Sequence, residues 1–295
     1  MSKRALKPSG TSEGKAPGKP SGSHRLSKRN RYVAWGAAGV VVAAGGAFAA
    51  TSASATTAWP AQKTFTGRAF DACTAPSASA MKAWHTGFYG AAAVYVGGKN
   101  RGCSQPNLTA TWTRTVTAQG WKLIPIYVGA QPPCQTGTRN EKMTTSNAAT
   151  LGAADGKDAV AKAAALGMKA GSAVYLDMEP YDTTSSSCNT AVLSYVRAFD
   201  KALHAKTYRA GYYGFSSSSA AAIATAKDRT DLPGNLWYAK WDKVNTTTSD
   251  WPWSKSLYTG HSRGHQYIVN SKESRGGYTI TVDRDAWDGP VAIVG

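Results

Sequence analysis

Short apolar runs alternate with longer helical stretches along most of the chain. Eight runs predict β-strands, at residues 68–72, 91–96, 122–128, 173–178, 209–213, 236–241, 265–269 and 278–283. Strands separated by helices favour a parallel sheet, because parallel neighbours need long crossover connections. We therefore expect a single (β/α)8 TIM-type barrel. An open doubly wound sheet is the alternative, although no glycine-rich phosphate loop follows any predicted strand.

Five helices are predicted between the strands, at residues 76–85, 107–119, 155–166, 189–205 and 216–227. The fourth has the clearest apolar stripe, formed at helical spacing by Val192, Tyr195, Val196, Phe199 and Leu203. Asn107 is expected to cap the second helix. The connection between the sixth and seventh strands contains Trp251-Pro252-Trp253, so the helix expected there is missing or irregular.

The first 55 residues have the layout of a secretory signal. Residues 1–31 are basic and polar, with Glu13 as their one acid, and predict a disordered leader. Residues 32–55 predict the hydrophobic region of a signal peptide and its cleavage site, since 32–50 lack charge and Ala53-Ser54-Ala55 follows. An uncleaved membrane anchor is the competing interpretation, because the apolar run is just long enough to span a bilayer.

Cleavage after Ala55 would release a barrel domain, which we place at residues 65–292, to the cell exterior or the cell wall. Residues 27–33 resemble a twin-arginine signal but lack adjacent arginines, so the Sec and twin-arginine routes both remain open. We expect a monomer without a stable membrane span after processing.

Four cysteines, all after residue 55, indicate two disulfides in an exported chain. Cys73, Cys103, Cys134 and Cys188 follow the first four predicted strands, one in each loop. Neighbouring loops suit the pairs Cys73–Cys103 and Cys134–Cys188, although sequence alone allows three pairings. No CxxC pair is present and the histidines are scattered, so we expect neither a metal site nor a cofactor.

The formal charge of +17 falls to about +9 when the charged residues of 1–55 are removed. No basic helix or arginine-rich run accounts for the remainder, which speaks against a nucleic-acid partner. Two interpretations remain open. The charge steers the protein toward cell-wall polysaccharide or another anionic envelope glycan, or it serves solubility alone.

Residues 173–180, Ala-Val-Tyr-Leu-Asp-Met-Glu-Pro, place two carboxylates at the end of an apolar strand. Because strand side chains alternate between faces, Asp177 and Glu179 share one face. Like charges repel and burial penalises both ions, so such a pair is costly unless one acid holds a proton for chemistry. The alternative is an exposed pair at a loop edge without a role.

Polar and aromatic side chains also follow the other predicted strands. Active sites of parallel barrels form at the carboxyl ends of strands, so these residues would converge on one rim. The acids expected there are Asp71, Asp177, Glu179 and Asp283. The candidates for substrate binding are Tyr127, Tyr213, Trp241, Asp242, Gln266 and Asp285. The aromatic members of this set suit a sugar, whose rings stack on aromatic faces.

Several motifs occur in order with consistent spacing: Phe70-Asp71-Ala72-Cys73, Val94-Tyr95-Val96-Gly97-Gly98, Ile124-Pro125-Ile126-Tyr127-Val128-Gly129 and Tyr175-Leu176-Asp177-Met178-Glu179. In these motifs the chain resembles the exported glycoside-hydrolase-like domain family of actinobacteria, formerly a domain of unknown function. That family is similar in fold to the family 25 muramidases, lysozymes that cut peptidoglycan. The resemblance covers residues 65–292.

The resemblance implies a barrel with an acidic cleft. The essential acids of the muramidases are an Asp ending the first strand, an Asp-x-Glu on the fourth and an Asp on the last. The first position is matched by Asp71 and the second by Asp177 and Glu179. The third is matched by Asp283, with Asp285 as the alternate. Glu179 would be the general acid that protonates the leaving oxygen. Asp177 would orient water or an acetamido group, or stabilise oxocarbenium charge.

Two functions remain open from the sequence. The first is a glycoside hydrolase that acts on cell-wall glycan of the peptidoglycan type. The second is a non-catalytic barrel that binds glycan or organises the envelope. A serine hydrolase is disfavoured, because the serine run at residues 216–219 lacks a Gly-x-Ser-x-Gly elbow.

Overall fold

The computed structural model describes residues 59–295. The predicted leader (1–31) and signal segment (32–55) lie outside the described residues, whereas the predicted barrel segment (65–292) lies within them. None of the helices in residues 59–295 combines the length and the hydropathy needed to cross a bilayer.

Eight strands close into a barrel in chain order. They are β1 (Thr64–Asp71), β2 (Ala91–Gly97), β3 (Lys122–Tyr127), β4 (Ala173–Asp177), β5 (Arg209–Phe215), β6 (Asn235–Ala239), β7 (Arg263–Arg275) and β8 (Tyr278–Pro290). Neighbouring strands from β1 to β7 pair in parallel. The predicted TIM-type barrel is confirmed, and the pairing of β1 with β8 excludes the open doubly wound sheet.

Each of the first five strands is followed by a helix outside the barrel. The helices are α1 (Ala78–Trp84), α2 (Ala110–Ala118), α3 (Ala148–Ala165), α4 (Ser186–His204) and α5 (Ser219–Ala224). As predicted, the described chain between β6 and β7 forms no helix. Trp251 and Trp253 pack there against Tyr238, with ring centroids 5.4 and 5.6 Å away.

The last strand departs from the expected parallel arrangement. β7 and β8 form an antiparallel hairpin of two 13-residue strands, and β8 is also antiparallel to β1. The hairpin turn is Gly276-Gly277, whose φ angles of 55° and 81° suit glycine. The expectation that the eighth strand runs parallel is wrong, because this two-residue turn reverses the chain directly.

Apolar side chains fill both faces of the barrel wall. The interior holds small and aromatic residues, among them Ala69, Ala91, Ala93, Ile124, Ile126, Tyr175, Trp237 and Trp287. A larger outer layer packs between the strands and the helices and contains the predicted stripe of α4. Because both faces are buried, most strands are apolar at consecutive positions.

Helix α3 begins at Ala148, seven residues before its predicted start at Asp155. Gly152 in this first part, and Gly156 just after it, weaken the helical signal in the sequence. Both are needed for close packing against α4, since a Cβ on Gly152 would lie 2.2 Å from the carbonyl oxygen of Tyr195. Tertiary packing therefore outweighs the low helix propensity of glycine.

The start of α2 also differs from the prediction. Thr109 is its N-cap and accepts a hydrogen bond from the backbone N–H of Trp112 at 3.1 Å. Asn107, the expected cap, donates instead to the carbonyl of Ala75 at 2.9 Å. This bond joins the loops that follow β1 and β2.

Both expected disulfides form in the loops at the carboxyl end of the barrel. Cys73–Cys103 joins the loops after β1 and β2, and Cys134–Cys188 joins the loop after β3 to the first turn of α4. The pairing suggested by neighbouring loops is the one found. The two bridges tie together the segments that surround the barrel mouth.

Candidate active site

The carboxyl ends of β1 and β4 place two buried acids at the mouth of the barrel. Asp71 is the last residue of β1 and Asp177 the last of β4, and they are 3% and 5% exposed. Ala69 and Tyr175, two positions earlier on the same strands, belong to the barrel interior. Because side chains alternate along a strand, both acids also face the interior.

The antiparallel course of β8 brings Asp283 to the same place. In the register of β1 with β8, Asp283 lies opposite Asp71, and Asp285 lies opposite Ala69. Gln266 of β7 connects Asp71 and Asp283, because its Nε2 donates to Asp71 at 2.9 Å and to Asp283 at 3.4 Å. Asp283 therefore reaches the mouth from the middle of an antiparallel strand, not from the end of a parallel one.

Gln266 also links these acids to two aromatic side chains. Its Oε1 accepts hydrogen bonds from the Tyr213 hydroxyl at 2.9 Å and from Trp241 Nε1 at 3.0 Å. Tyr213 is buried, whereas Trp241 is half exposed and packs edge-on against Phe215. The structure thus brings Tyr213, Trp241 and Gln266 together with Asp71.

Burial and the charge of Asp283 raise the pKa of Asp71 from 3.8 to about 7. The hydrogen bonds from Gln266 and from the Tyr95 hydroxyl, 3.4 Å from Asp71 Oδ1, oppose this rise because they favour the charged form. Burial also raises the pKa of Asp283, against a 2.6 Å hydrogen bond from the backbone N–H of Asn270. Asp71 is therefore poised to gain or lose a proton near neutral pH.

Gln131, in the loop after β3, positions the second pair of acids. Its Oε1 accepts a hydrogen bond from the backbone N–H of Glu179 at 3.0 Å, and its Nε2 donates to the carbonyl of Asp177 at 3.0 Å. Gln131 is fully buried, so this arrangement is protected from water. It holds Glu179 beside Asp177 beyond the end of β4.

Burial raises the pKa of both Asp177 and Glu179, and the charges of Glu179 and Asp71 raise that of Asp177 further. The positive charge of Arg139 opposes this rise in pKa at both acids, and its Nη2 lies 3.8 Å from Glu179 Oε2. Asp177 Oδ1 has no hydrogen-bond partner among the described residues. Glu179 has 33% of its side chain exposed and is therefore open to a ligand.

A cleft of about 290 Å³ opens to solvent beside these two acids. Its walls include Tyr95, Asn100, Gln131, Arg139 and the Cys73–Cys103 disulfide, with Asp177 and Glu179 at one side. This volume is at the lower edge of the range for small-ligand sites. Tyr95 joins this cleft to Asp71, so the four expected acids form one connected cluster.

Tyr127 does not belong to this cluster. Ile124 and Ile126 of the same strand face the barrel interior. The side chain of Tyr127 points the other way and lies in the outer layer. Its hydroxyl donates to Asp158 Oδ2 of α3 at 2.9 Å. The structure thus places Tyr127 away from the acids at the mouth. The sequence did not reveal this position, because a strand buried on both faces carries no alternation to show which side chains point inward.

Asp285 lies below the cleft and is fully buried. One of its oxygens accepts a hydrogen bond from Trp237 Nε1 at 2.9 Å. Burial, with the charges of Asp71 and Asp283, holds its pKa well above the ordinary value. The structure therefore places Asp285 in a buried position where its charge and those of Asp71 and Asp283 influence one another.

Asp242 belongs to a separate salt-bridge cluster on the outside of the barrel. Lys240 Nζ lies 3.1 Å from Asp242 Oδ2 and also bonds Asp250. Among the described residues, Asp242, Asp250 and His265 could hold a metal ion, since their ligand atoms lie within 4.8 Å of one another. The single ammonium of Lys240 already pairs with both carboxylates, so the structure places Asp242 in this salt-bridge cluster.

Three residues of the site were missed by sequence reasoning. Tyr95 is the last inward-facing residue of β2, so the strand-end rule that found Asp71 could have found it. Gln131 and Arg139 lie in the long loop after β3, which has no periodicity. Only the folded position of that loop shows that both reach the cleft.

The family model described as "Rv2525c-like, glycoside hydrolase-like domain" matches residues 82–287. The chain belongs to this family. No curated protein matches the sequence significantly. The match spans the second to the eighth strand and therefore includes Asp177, Glu179 and Asp283.

Two solved structures are similar in fold to this chain. An uncharacterized B. stearothermophilus protein has 18% identity and a TM-score of 0.50, covering 75% of this chain and 96% of that one. The Mycobacterium tuberculosis Tat-secreted protein Rv2525c, in complex with HEPES, has 19% identity and a TM-score of 0.51, covering 76% and 96%. At these identities the likeness shows a shared fold.

A family 25 glycosyl hydrolase from Bacillus anthracis is more distant. It has 10% identity and a TM-score of 0.46, covering 76% of this chain and 90% of that one.

Proposed function

We propose that this protein hydrolyses a cell-wall glycan of the peptidoglycan type, with Glu179 as the general acid. The observation that carries the proposal is the gathering of four carboxyl groups with raised pKa at the barrel mouth beside an open cleft. Structural ion pairs do not explain this arrangement, because like charges buried together destabilise a fold, and such clusters are found mainly at functional sites. The glycoside hydrolase-like family description supports the same reaction class.

Glu179 is assigned as the acid because it combines a raised pKa with exposure to the cleft. A general acid must carry a proton near the working pH and must reach the leaving oxygen. Asp177 is nearly enclosed, yet its Oδ1 lacks a partner among the described residues. It is suited to orient water or an acetamido group, or to stabilise positive charge on the sugar ring.

Asp71 and Asp283 complete the acidic cluster on the other side of Tyr95. They share a hydrogen-bond donor in Gln266, and the charge of Asp71 acts on Asp177. Trp241, half exposed and anchored to Gln266, offers an aromatic face on which a sugar ring could stack. We assign Tyr213, Trp241 and Gln266 to substrate binding.

We further propose that the protein acts outside the cytoplasm as a monomer. Two disulfides in the described chain are typical of exported proteins. Rv2525c, which shares the fold, is described as Tat-secreted. The sequence layout of residues 1–55 and the basic charge of the chain agree with a place at an anionic cell envelope.

The test compares wild type with Glu179→Gln on purified peptidoglycan. Removing the proton donor while keeping side-chain shape should lower the release of reducing ends roughly 100- to 10,000-fold. Binding in a glycan pull-down should persist. Glu141→Gln is the matched control, because the Glu141 side chain pairs with Lys99 and does not line the cleft. Equal activity of wild type and Glu179→Gln would contradict the assignment.

The second candidate is a non-catalytic glycan-binding barrel. The observation that favours it is the guanidinium of Arg139 beside Glu179, because its charge opposes the rise in the pKa of that carboxyl and favours the ion over the acid. A wild-type protein that binds wall glycans but releases no reducing ends from any of them would establish this second function and exclude the first.

A further inference from the structure

Arg139 is held in the cleft wall by a framework of hydrogen bonds. Its Nε donates to Oε1 of the buried Gln135 at 3.0 Å, and the carbonyl of Gln135 accepts from Lys142 Nζ at 2.5 Å. The next residue, Asn140, is fixed to Asn100 of the neighbouring loop, whose Oδ1 accepts its backbone N–H at 2.8 Å. These hydrogen bonds hold both the loop and the guanidinium of Arg139 in place.

The two terminal nitrogens of Arg139 remain available. Within the described residues, Nε makes the hydrogen bond of this guanidinium, while Nη2 lies 3.8 Å from Glu179 Oε2, beyond hydrogen-bond distance. An arginine that served only to neutralise Glu179 would form a closer, bidentate pair. Here the planar fork faces the cleft with donors to spare.

The charge pattern of the cleft makes Arg139 distinctive. Among the residues that line it, Arg139 is the one cation, set against Asp177 and Glu179. Either acid repels an anionic ligand when it is ionised, so a negatively charged group is favoured where it lies beside Arg139. A guanidinium fork matches the oxygen geometry of carboxylate and phosphate.

We infer that Arg139 binds an acidic substituent, a carboxylate or a phosphate, carried by the sugar that occupies the cleft. The inference deepens the proposed function and rests on it in taking the ligand to be a glycan. Arg139 would select acidic saccharides over neutral ones of the same backbone. It also couples selection to chemistry, since an anion bound at Arg139 draws the guanidinium away from Glu179.

The experiment measures calorimetric affinity for three tetrasaccharides: chitotetraose, an N-acetylglucosamine–N-acetylmuramic acid tetrasaccharide with free carboxylates, and a 6-phosphorylated chitotetraose. Wild type should bind at least one acidic probe more tightly than chitotetraose. The carboxylate and phosphate arms show which group is recognised. Arg139→Gln should weaken the acidic probe roughly 10- to 100-fold and leave chitotetraose unchanged. Arg139→Lys, which keeps the charge but lacks the fork, should fall between.

Arg114→Gln is the matched control, because Arg114 is exposed on α2 and bonds only Thr111 one turn earlier. It should bind all three probes as wild type does. Equal wild-type affinity for the neutral and acidic probes would overturn the role of Arg139 alone. Equal weakening of all probes by Arg139→Gln would do the same. If wild type bound none of the probes, the glycan ligand itself, and with it the proposed function, would fail.

Discussion

At the scale of single residues, the acids at the barrel mouth reduce the stability of the fold at neutral pH. The pKa of Asp71 is about 7 in the folded protein and 3.8 without the fold. Between these values the folded state binds a proton that the unfolded state has lost. Stability from this group is therefore complete below pH 4 and falls as the pH rises toward 7, by about 1.4 kcal/mol per pH unit.

Replacing Asp71 with Asn should remove this loss. We expect Asp71→Asn to raise the free energy of unfolding at pH 7.5 by a few kcal/mol, with little gain at pH 4. Thermal unfolding of both proteins across this range measures the difference.

Asp228→Asn provides the opposite control for this experiment. Hydrogen bonds from Thr230 and Arg197 lower the pKa of Asp228 to about 2, so the charged form is the stabilising one. This variant should melt at a lower temperature than wild type at pH 7.5. A gain for Asp71→Asn that did not depend on pH would contradict the electrostatic cause.

The sequence predicted single residues well where they end a strand that leads into the mouth. Asp71, Asp177 and Glu179 follow apolar runs directly, and strand alternation sets their common direction. Tyr127 also ends an apolar run, but its direction depends on which face of β3 is interior. Gln131 and Arg139 act from a loop, where position follows from tertiary contacts that no local pattern encodes.

At the scale of elements, β3 and β5 carry a matched pair of tyrosines with different roles. Tyr127 bonds Asp158 of α3 behind the barrel wall, and Tyr213 bonds Gln266 inside it. Tyr127→Phe should lower the free energy of unfolding by about 1 kcal/mol and leave glycan affinity unchanged.

Tyr213→Phe should instead weaken glycan turnover roughly tenfold, because it releases the amide of Gln266 from its fixed orientation. Chemical denaturation and kcat/KM for both variants provide the comparison. A loss of turnover in Tyr127→Phe would return that residue to the site.

The hairpin of β7 and β8 was not predicted from the sequence, yet the predicted position of Asp283 near Asp71 is correct. Gly276-Gly277 is a strong two-residue turn signal, but the predicted seventh strand ends at residue 269, before the turn, and so does not form a hairpin with the eighth. The reversal of β8 nevertheless places Asp283 opposite Asp71, because register decides which residues meet. A strand predicted in the wrong direction can therefore still place the correct residue at the site.

At the scale of the whole molecule, two disulfides brace the end of the barrel that carries the site. They close segments of 30 and 54 residues. Restricting the unfolded chain in this way stabilises the fold by about 3–4 kcal/mol per bridge. The paired variants Cys73→Ser/Cys103→Ser and Cys134→Ser/Cys188→Ser should each melt well below wild type.

The first of these variants should also weaken glycan binding, since Cys73 and Cys103 form part of the cleft wall. Mass mapping of the exported protein without reductant should find no free thiols. Four free thiols, or melting temperatures that do not change, would contradict the role of the bridges.

The central claim is that the acids at the barrel mouth surround the bond that is cut. A crystal structure of Glu179→Gln with a bound peptidoglycan oligosaccharide tests it most directly. We predict a glycosidic oxygen within hydrogen-bond distance of the side chain at position 179, with Asp177 facing the adjacent sugar ring. A sugar bound elsewhere on the barrel, with the acidic cluster left to solvent, would contradict the claim.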